Sequence, residues 1–141
     1  MCEIALGLDK AKLIDFGLSC LLNVVEIQVD VKRMDALHWK SPEYLTGGCP
    51  SFASDVYSFA MYILKAVTGD IPWGKEMSPV FVKFQVKKGN IPILLDILSG
   101  KQHNLIELMM RKDPLERVKM SFIVDKLLEI AEFEAESQSS P

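Results

Sequence analysis

The run from Ser54 to Val67, Ser-Asp-Val-Tyr-Ser-Phe-Ala-Met-Tyr-Ile-Leu-Lys-Ala-Val, limits most sharply what this chain can fold into. Val56, Phe59, Ala60, Ile63, Leu64 and Val67 recur at the i, i+3, i+4, i+7 spacing of a helix. Its other faces are scarcely more polar. Tyr57, Met61 and Tyr62 fill them, and Asp55 and Lys65 are its only charges. A helix that is apolar nearly all round sits inside a domain or a membrane. This one is too short and too interrupted to span a bilayer, so it reads as the central helix of a soluble helical core. Ser51 or Ser54 can cap its start, and Gly69 closes its end. Asp55 in the first turn is expected to face an interior, either as a partner of the helix dipole or as an anchor for another buried backbone segment.

The chain has 141 residues, enough for one domain with a single core. Its net charge of −3 argues against nucleic acid or an anionic membrane as the main partner, and no basic stripe interleaves with aromatics. Cys2, Cys20 and Cys49 lie far apart and form no Cys-x-x-Cys pair, and their number is odd. A reduced, cytoplasmic setting fits that better than a disulfide framework. His38 and His103 are isolated, so no zinc site is expected. No basic region followed by an apolar run marks a secretory signal.

Residues 4–16 hold two short apolar runs around Leu8-Asp9-Lys10, the pattern of a small hairpin. Val25 to Lys32 alternates strictly and is expected to be extended. Ser41-Pro42-Glu43-Tyr44-Leu45 can open a short helical turn, with proline at its first position. Beyond the central helix, Gly69 to Gly74 is a turn. Ser78 to Lys87 reads as an amphipathic helix stopped by Gly89, with Val80, Phe81, Phe84 and Val86 inward. Ile91 to Leu98 is apolar around Pro92 and Asp96. Asn104 and Glu107 make a capping-box pattern for a helix carrying Leu105, Ile106, Leu108 and Met109. Asp113 to Arg117 breaks that helix. A last helix from about Met120 to Phe133 turns Ile123, Val124, Leu127, Ile130 and Ala131 inward, and the polar tail, 134–141, frays.

Short motifs supply the chemistry. Asp15-Phe16-Gly17 follows Ala-Lys-Leu-Ile; then come Trp39-Lys40-Ser41-Pro42-Glu43, Ser54-Asp55-Val56-Tyr57, Thr68-Gly69-Asp70-Ile71-Pro72-Trp73 and Asp113-Pro114-Leu115-Glu116-Arg117. Each alone is weak; in this order they are specific. Together they resemble the C-terminal lobe of a eukaryotic-type protein kinase, most like the tyrosine-kinase-like serine/threonine group, over roughly residues 3–130. The resemblance implies a mainly α C-lobe helical bundle entered by a small β-hairpin, without the N-lobe. It implies a partial kinase domain over 1–133 followed by the tail 134–141.

By the same resemblance, Asp15 is the magnesium-binding aspartate of the Asp-Phe-Gly motif, with Phe16 packing inward beside Gly17. Ser41-Pro42-Glu43 matches Ala-Pro-Glu, and Glu43 pairs with Arg117. Asp55 matches the central-helix aspartate that holds the catalytic loop's backbone. A complete domain would use ATP and Mg²⁺ on a protein substrate. Here no glycine-rich loop, strand lysine with its glutamate, or His-Arg-Asp motif is found. The second metal ligand, an asparagine in the family, aligns with Glu3, and the catalytic aspartate would precede Met1, so this chain holds no catalytic residue of its own. Cys20 to Lys40 contains no Ser, Thr or Tyr, so phosphorylation cannot switch that segment. His38 stands where relatives often carry arginine. These departures leave three expectations: a fragment of a serine/threonine kinase that is inactive alone, a pseudokinase-like module that binds a protein partner, or a translated relic with no stable fold. In each case no membrane segment is expected.

Overall fold

The computed structural model of the chain describes residues 3–7, 10–14, 34–92 and 98–138. They fall into two units, residues 1–36 and 37–141, a boundary that no shift of composition marks. In the first, β1 (Glu3–Gly7) pairs antiparallel with β2 (Lys10–Ile14), Glu3 opposite Ile14 and Gly7 opposite Lys10. This is the expected hairpin. Asp15, Phe16, Gly17 and the alternating run Val25 to Lys32 lie outside the described residues, as do residues 93–97 of the apolar stretch before Leu98.

A 3-10 turn over Met34–Trp39, which the sequence did not announce, leads into the second unit. There α1 (Pro42–Leu45) starts on proline, as its spacing predicts. The central helix α2 (Phe52–Thr68) is bounded by both signals read from the sequence. The Ser51 and Ser54 side chains each accept a hydrogen bond from the other's backbone N–H, and Gly69 ends the helix at a φ of 75°. That left-handed conformation suits glycine because a β-carbon would crowd the next carbonyl.

The apolar stripe of α2 is rotated by about one residue from the expected face. Val56, Ala60 and Leu64 are buried as expected and Tyr57 and Met61 join them, whereas Phe59 and Ile63 are half-buried and Val67 is 45% exposed. The reason is the direction of its neighbours. Val82 and Val86 of α3 (Pro79–Lys88), Leu105, Ile106 and Met109 of α4 (Gly100–Met109) and Ile123 of α5 (Met120–Gln138) join Tyr57, Met61 and Leu64 in one core. Each fully buried Leu, Ile or Met there contributes about 1.5–3 kcal/mol.

Three details of the helical reading change. On α3 it is Val82 and Val86 that point inward, whereas Val80, Phe81 and Phe84 are exposed. The cap of α4 is Ser99 with Gln102, not Asn104 with Glu107, so the helix starts a turn earlier than its spacing suggests. On α5, Ile123 and Ile130 are buried and Leu127 is half-buried, but Val124 and Ala131 face solvent. The helix also runs past Phe133 to Gln138, because Glu and Ala extend a helix well even without core contacts.

Candidate functional site

The best-built polar arrangement lies where the Ser-Pro-Glu and Asp-Pro-x-x-Arg motifs meet. α1 is only one turn long, and it presents Glu43 beside the start of α2. After α4, Asp113 caps a 3-10 turn, Pro114–Glu116, whose Leu115 N–H it binds at 2.9 Å. That turn aims Arg117 back into the unit. The Arg117 Nη1 and Nη2 groups donate to Glu43 Oε1 and Oε2 at 2.6 and 2.7 Å, a bidentate fork. Its other donors reach backbone carbonyls: Nε to Arg111 at 2.7 Å, Nη1 to Ala53 at 2.9 Å and Nη2 to Lys112 at 3.3 Å. All five N–H donors of a guanidinium are thereby used. The Arg117 side chain is fully buried and that of Glu43 is 20% exposed.

Tyr57 closes this site from α2, its ring 5.2 Å from the guanidinium carbon. Burial pushes its phenol well above the usual range, so it stays protonated. Its hydroxyl has no hydrogen-bond partner among the described residues. Glu43 shows the opposite balance. Burial alone would raise its carboxyl, but the hydrogen bonds and charge of Arg117 outweigh this and hold it below the usual carboxylate value near 4.5. The folded state therefore takes up this proton less readily than the unfolded chain. The contribution of the pair should be complete above about pH 4.5 and be lost as pH falls further. Urea unfolding of the wild type should weaken steeply below that pH, and Glu43→Gln should remove that part of the acid slope.

The segment before α1 is held on α2 as well. Ser58 Oγ donates to the Trp39 carbonyl at 2.8 Å, and the Trp39 ring stacks on Tyr62 at 4.7 Å. His38 Nδ1–H donates to the Pro72 carbonyl at 2.8 Å, fixing the turn after α2. In that turn Trp73 takes a φ of 74°, unusual for a bulky residue. None of these contacts was readable from the sequence, since a serine inside an apolar helix carries no sign of its partner.

The other residues singled out from the sequence do not join the site. Asp15, Phe16 and Gly17 are outside the described residues, and Glu3 opens β1. Asp55 is exposed at the start of α2 rather than facing an interior; even so, partial burial of its carboxyl pushes it above the usual range. Among the described residues no group of three or more His, Cys, Asp or Glu could hold a metal ion. The arrangement around Arg117 holds backbone in place rather than reacting.

The family model for protein tyrosine and serine/threonine kinases matches residues 7–127. The chain is 31% identical over 110 residues to mitogen-activated protein kinase kinase kinase 9 of Arabidopsis thaliana, covering 75% of this chain and 14% of that protein. It is 31% identical over 121 residues to a probable serine/threonine-protein kinase of Dictyostelium discoideum, covering 84% and 7%. Over 68 residues it is 40% identical to a probable receptor-like serine/threonine-protein kinase of A. thaliana, covering 46% and 16%. The chain thus spans a small share of the length of these relatives. The order of its motifs, the Glu43–Arg117 fork and a family match across most of its length lead to one conclusion: the chain belongs to the protein tyrosine and serine/threonine kinase family.

Proposed function

We propose that this chain is the C-terminal part of the catalytic domain of an ATP-dependent serine/threonine protein kinase, and that on its own it transfers no phosphate. The family's chemistry passes a phosphoryl group from ATP, held with Mg²⁺, to a protein hydroxyl. Such a reaction needs a phosphate cradle, a lysine on the phosphates and a base at the acceptor hydroxyl, and the sequence contains none of the three motifs that carry them. What it contains is the frame: Asp15 for the metal, and Glu43 with Arg117 to hold the segment that follows.

The observation that carries this reading is apolar surface left uncovered on the central helix. Ile63 and Val67 of α2 line an open groove of about 230 Å³ with Leu98, Leu105, Leu127 and Ile130. Phe52 at the other end of α2 is 76% exposed. A core helix with bare apolar flanks calls for further packing elements. A cytoplasmic location accords with the three dispersed cysteines, and no helix among the described residues is long and apolar enough to cross a membrane.

The test is transfer of labelled phosphate from Mg-ATP to a serine- and threonine-containing protein. The 141-residue chain should stay at background. A longer endogenous polypeptide, captured with an antibody to residues 134–141, should label serine or threonine. Transfer by the short chain that disappears in Asp15→Ala would overturn the reading. A second reading, a protein-binding module without catalysis, is favoured by the absence of Ser, Thr and Tyr between Cys20 and Lys40. It predicts an endogenous polypeptide of 15.9 kDa.

A further inference from the structure

The outward face of α3 brings exposed apolar side chains and lysines together. Val80 is 79% exposed, Phe81 45% and Phe84 51%, and the two phenylalanine rings lie side by side with centroids 6.5 Å apart. They occupy the first turns of the helix, opposite the buried Val82 and Val86. Lys83 lies between the two phenylalanines and Lys87 and Lys88 follow in the last turn, all exposed. None of these lysines forms an ion pair among the described residues, and Lys88 sits over the Phe84 ring at 4.6 Å. The end of α3 at Gly89 lies against the Lys112 side chain and shares an open cavity with Glu107 and Arg111.

Charge along the sequence sharpens this. From Met77 to Leu95 there is no Asp or Glu, whereas Asp125, Glu129, Glu132, Glu134 and Glu136 all fall on α5. The net charge of −3, which argues against an anionic partner for the molecule as a whole, conceals a local cationic surface. No carboxylate on α3 is present to repel an anion. A helix that exposes aromatic and aliphatic side chains together with unpaired lysines can rest on a lipid–water boundary. Aromatic rings enter the acyl edge there, and lysine stems reach up to the headgroups.

We propose that the outward face of α3, formed by Val80, Phe81, Phe84, Lys83, Lys87 and Lys88, docks on a layer of anionic lipid headgroups. This is independent of phosphoryl transfer and would hold for the chain under either reading of its function. It asks only for reversible binding, since one short helix contributes a modest apolar area and each lysine near an anionic surface strengthens binding roughly fivefold.

The experiment is flotation of the 141-residue chain with vesicles of phosphatidylcholine alone, or of equimolar phosphatidylcholine and phosphatidylserine. Binding should appear only with phosphatidylserine and weaken as salt is raised. The combined variant Lys83→Gln, Lys87→Gln, Lys88→Gln should lose on the order of a hundredfold in lipid affinity. Phe81→Ser with Phe84→Ser should lose at least tenfold or so, because both rings leave the acyl edge. Leu128→Ser, on the exposed face of α5, should bind as wild type, and circular dichroism should show all variants equally helical. Equal binding to both vesicle types, or an unchanged lysine variant, would overturn the proposal by assigning adhesion to bare core surface. Failure to float, together with lysine-dependent capture on poly-glutamate, would overturn it in favour of an acidic protein partner. None of these results bears on whether the chain transfers phosphate.

Discussion

Glu43→Ala should lower the unfolding free energy by about 3–5 kcal/mol, the usual cost of removing one partner from a buried ion pair. The size follows from what is left behind. Arg117 has no solvent exposure in its side chain, and among the described residues its charge is balanced only by Glu43. The carbonyls of Ala53, Arg111 and Lys112 would still accept hydrogen bonds, but they supply dipoles rather than a counter-charge. Arg117→Ala should be similarly severe for a different reason, since it strands those carbonyls and removes the cation beside the Tyr57 ring. Against a typical stability of about 5–15 kcal/mol, either change leaves a barely folded chain. Urea unfolding followed by circular dichroism reads both. Arg117→Lys should not rescue, since an ammonium cannot span both carboxylate oxygens and three carbonyls at once.

That pair also shows how far the sequence could be read. Glu43 and Arg117 are separated by 74 positions, and no periodicity links them. They were paired only because the order of short motifs resembled a family in which such residues meet. The ends of α2 were legible by chemistry alone, because Ser51, Ser54 and Gly69 satisfy backbone groups that a helix leaves open. The same logic failed for α4. Ser99 and Asn104 are both good caps, and what selects Ser99 is an extended backbone of φ −62° and ψ 157°, which composition does not reveal. α3 failed differently. Val80, Phe81, Val82, Phe84 and Val86 offer two overlapping stripes on a ten-residue helix, so burial of Val82 and Val86 is decided by the neighbours. The seating of Trp39 against Ser58 and Tyr62 is a tertiary event of the same kind, and Met34–Trp39 carries no helical signature apart from it.

Leu64→Ala should cost about 2–5 kcal/mol, and the contrast with Val67 one turn later is the informative part. Leu64 is fully buried in the core that α2 shares with α3, α4 and α5, so truncation removes apolar contacts and leaves a cavity that rigid neighbours cannot fill. Val67 belongs to the same apolar run but stands 45% exposed at the edge of the open groove. Val67→Ser should change stability by no more than about 0.5 kcal/mol in this chain, as is usual at the surface. If the groove receives packing elements from the rest of a kinase domain, the same Val67→Ser change in the longer polypeptide should become destabilising by about 1–3 kcal/mol, because the hydroxyl would then be buried without a partner. Leu64→Ala should be equally costly in both settings. Thermal and urea unfolding of the four proteins separates the possibilities. A Val67→Ser effect that stays small in the longer polypeptide would mean that nothing covers this face of the central helix, and that the bare flank belongs to the folded kinase itself.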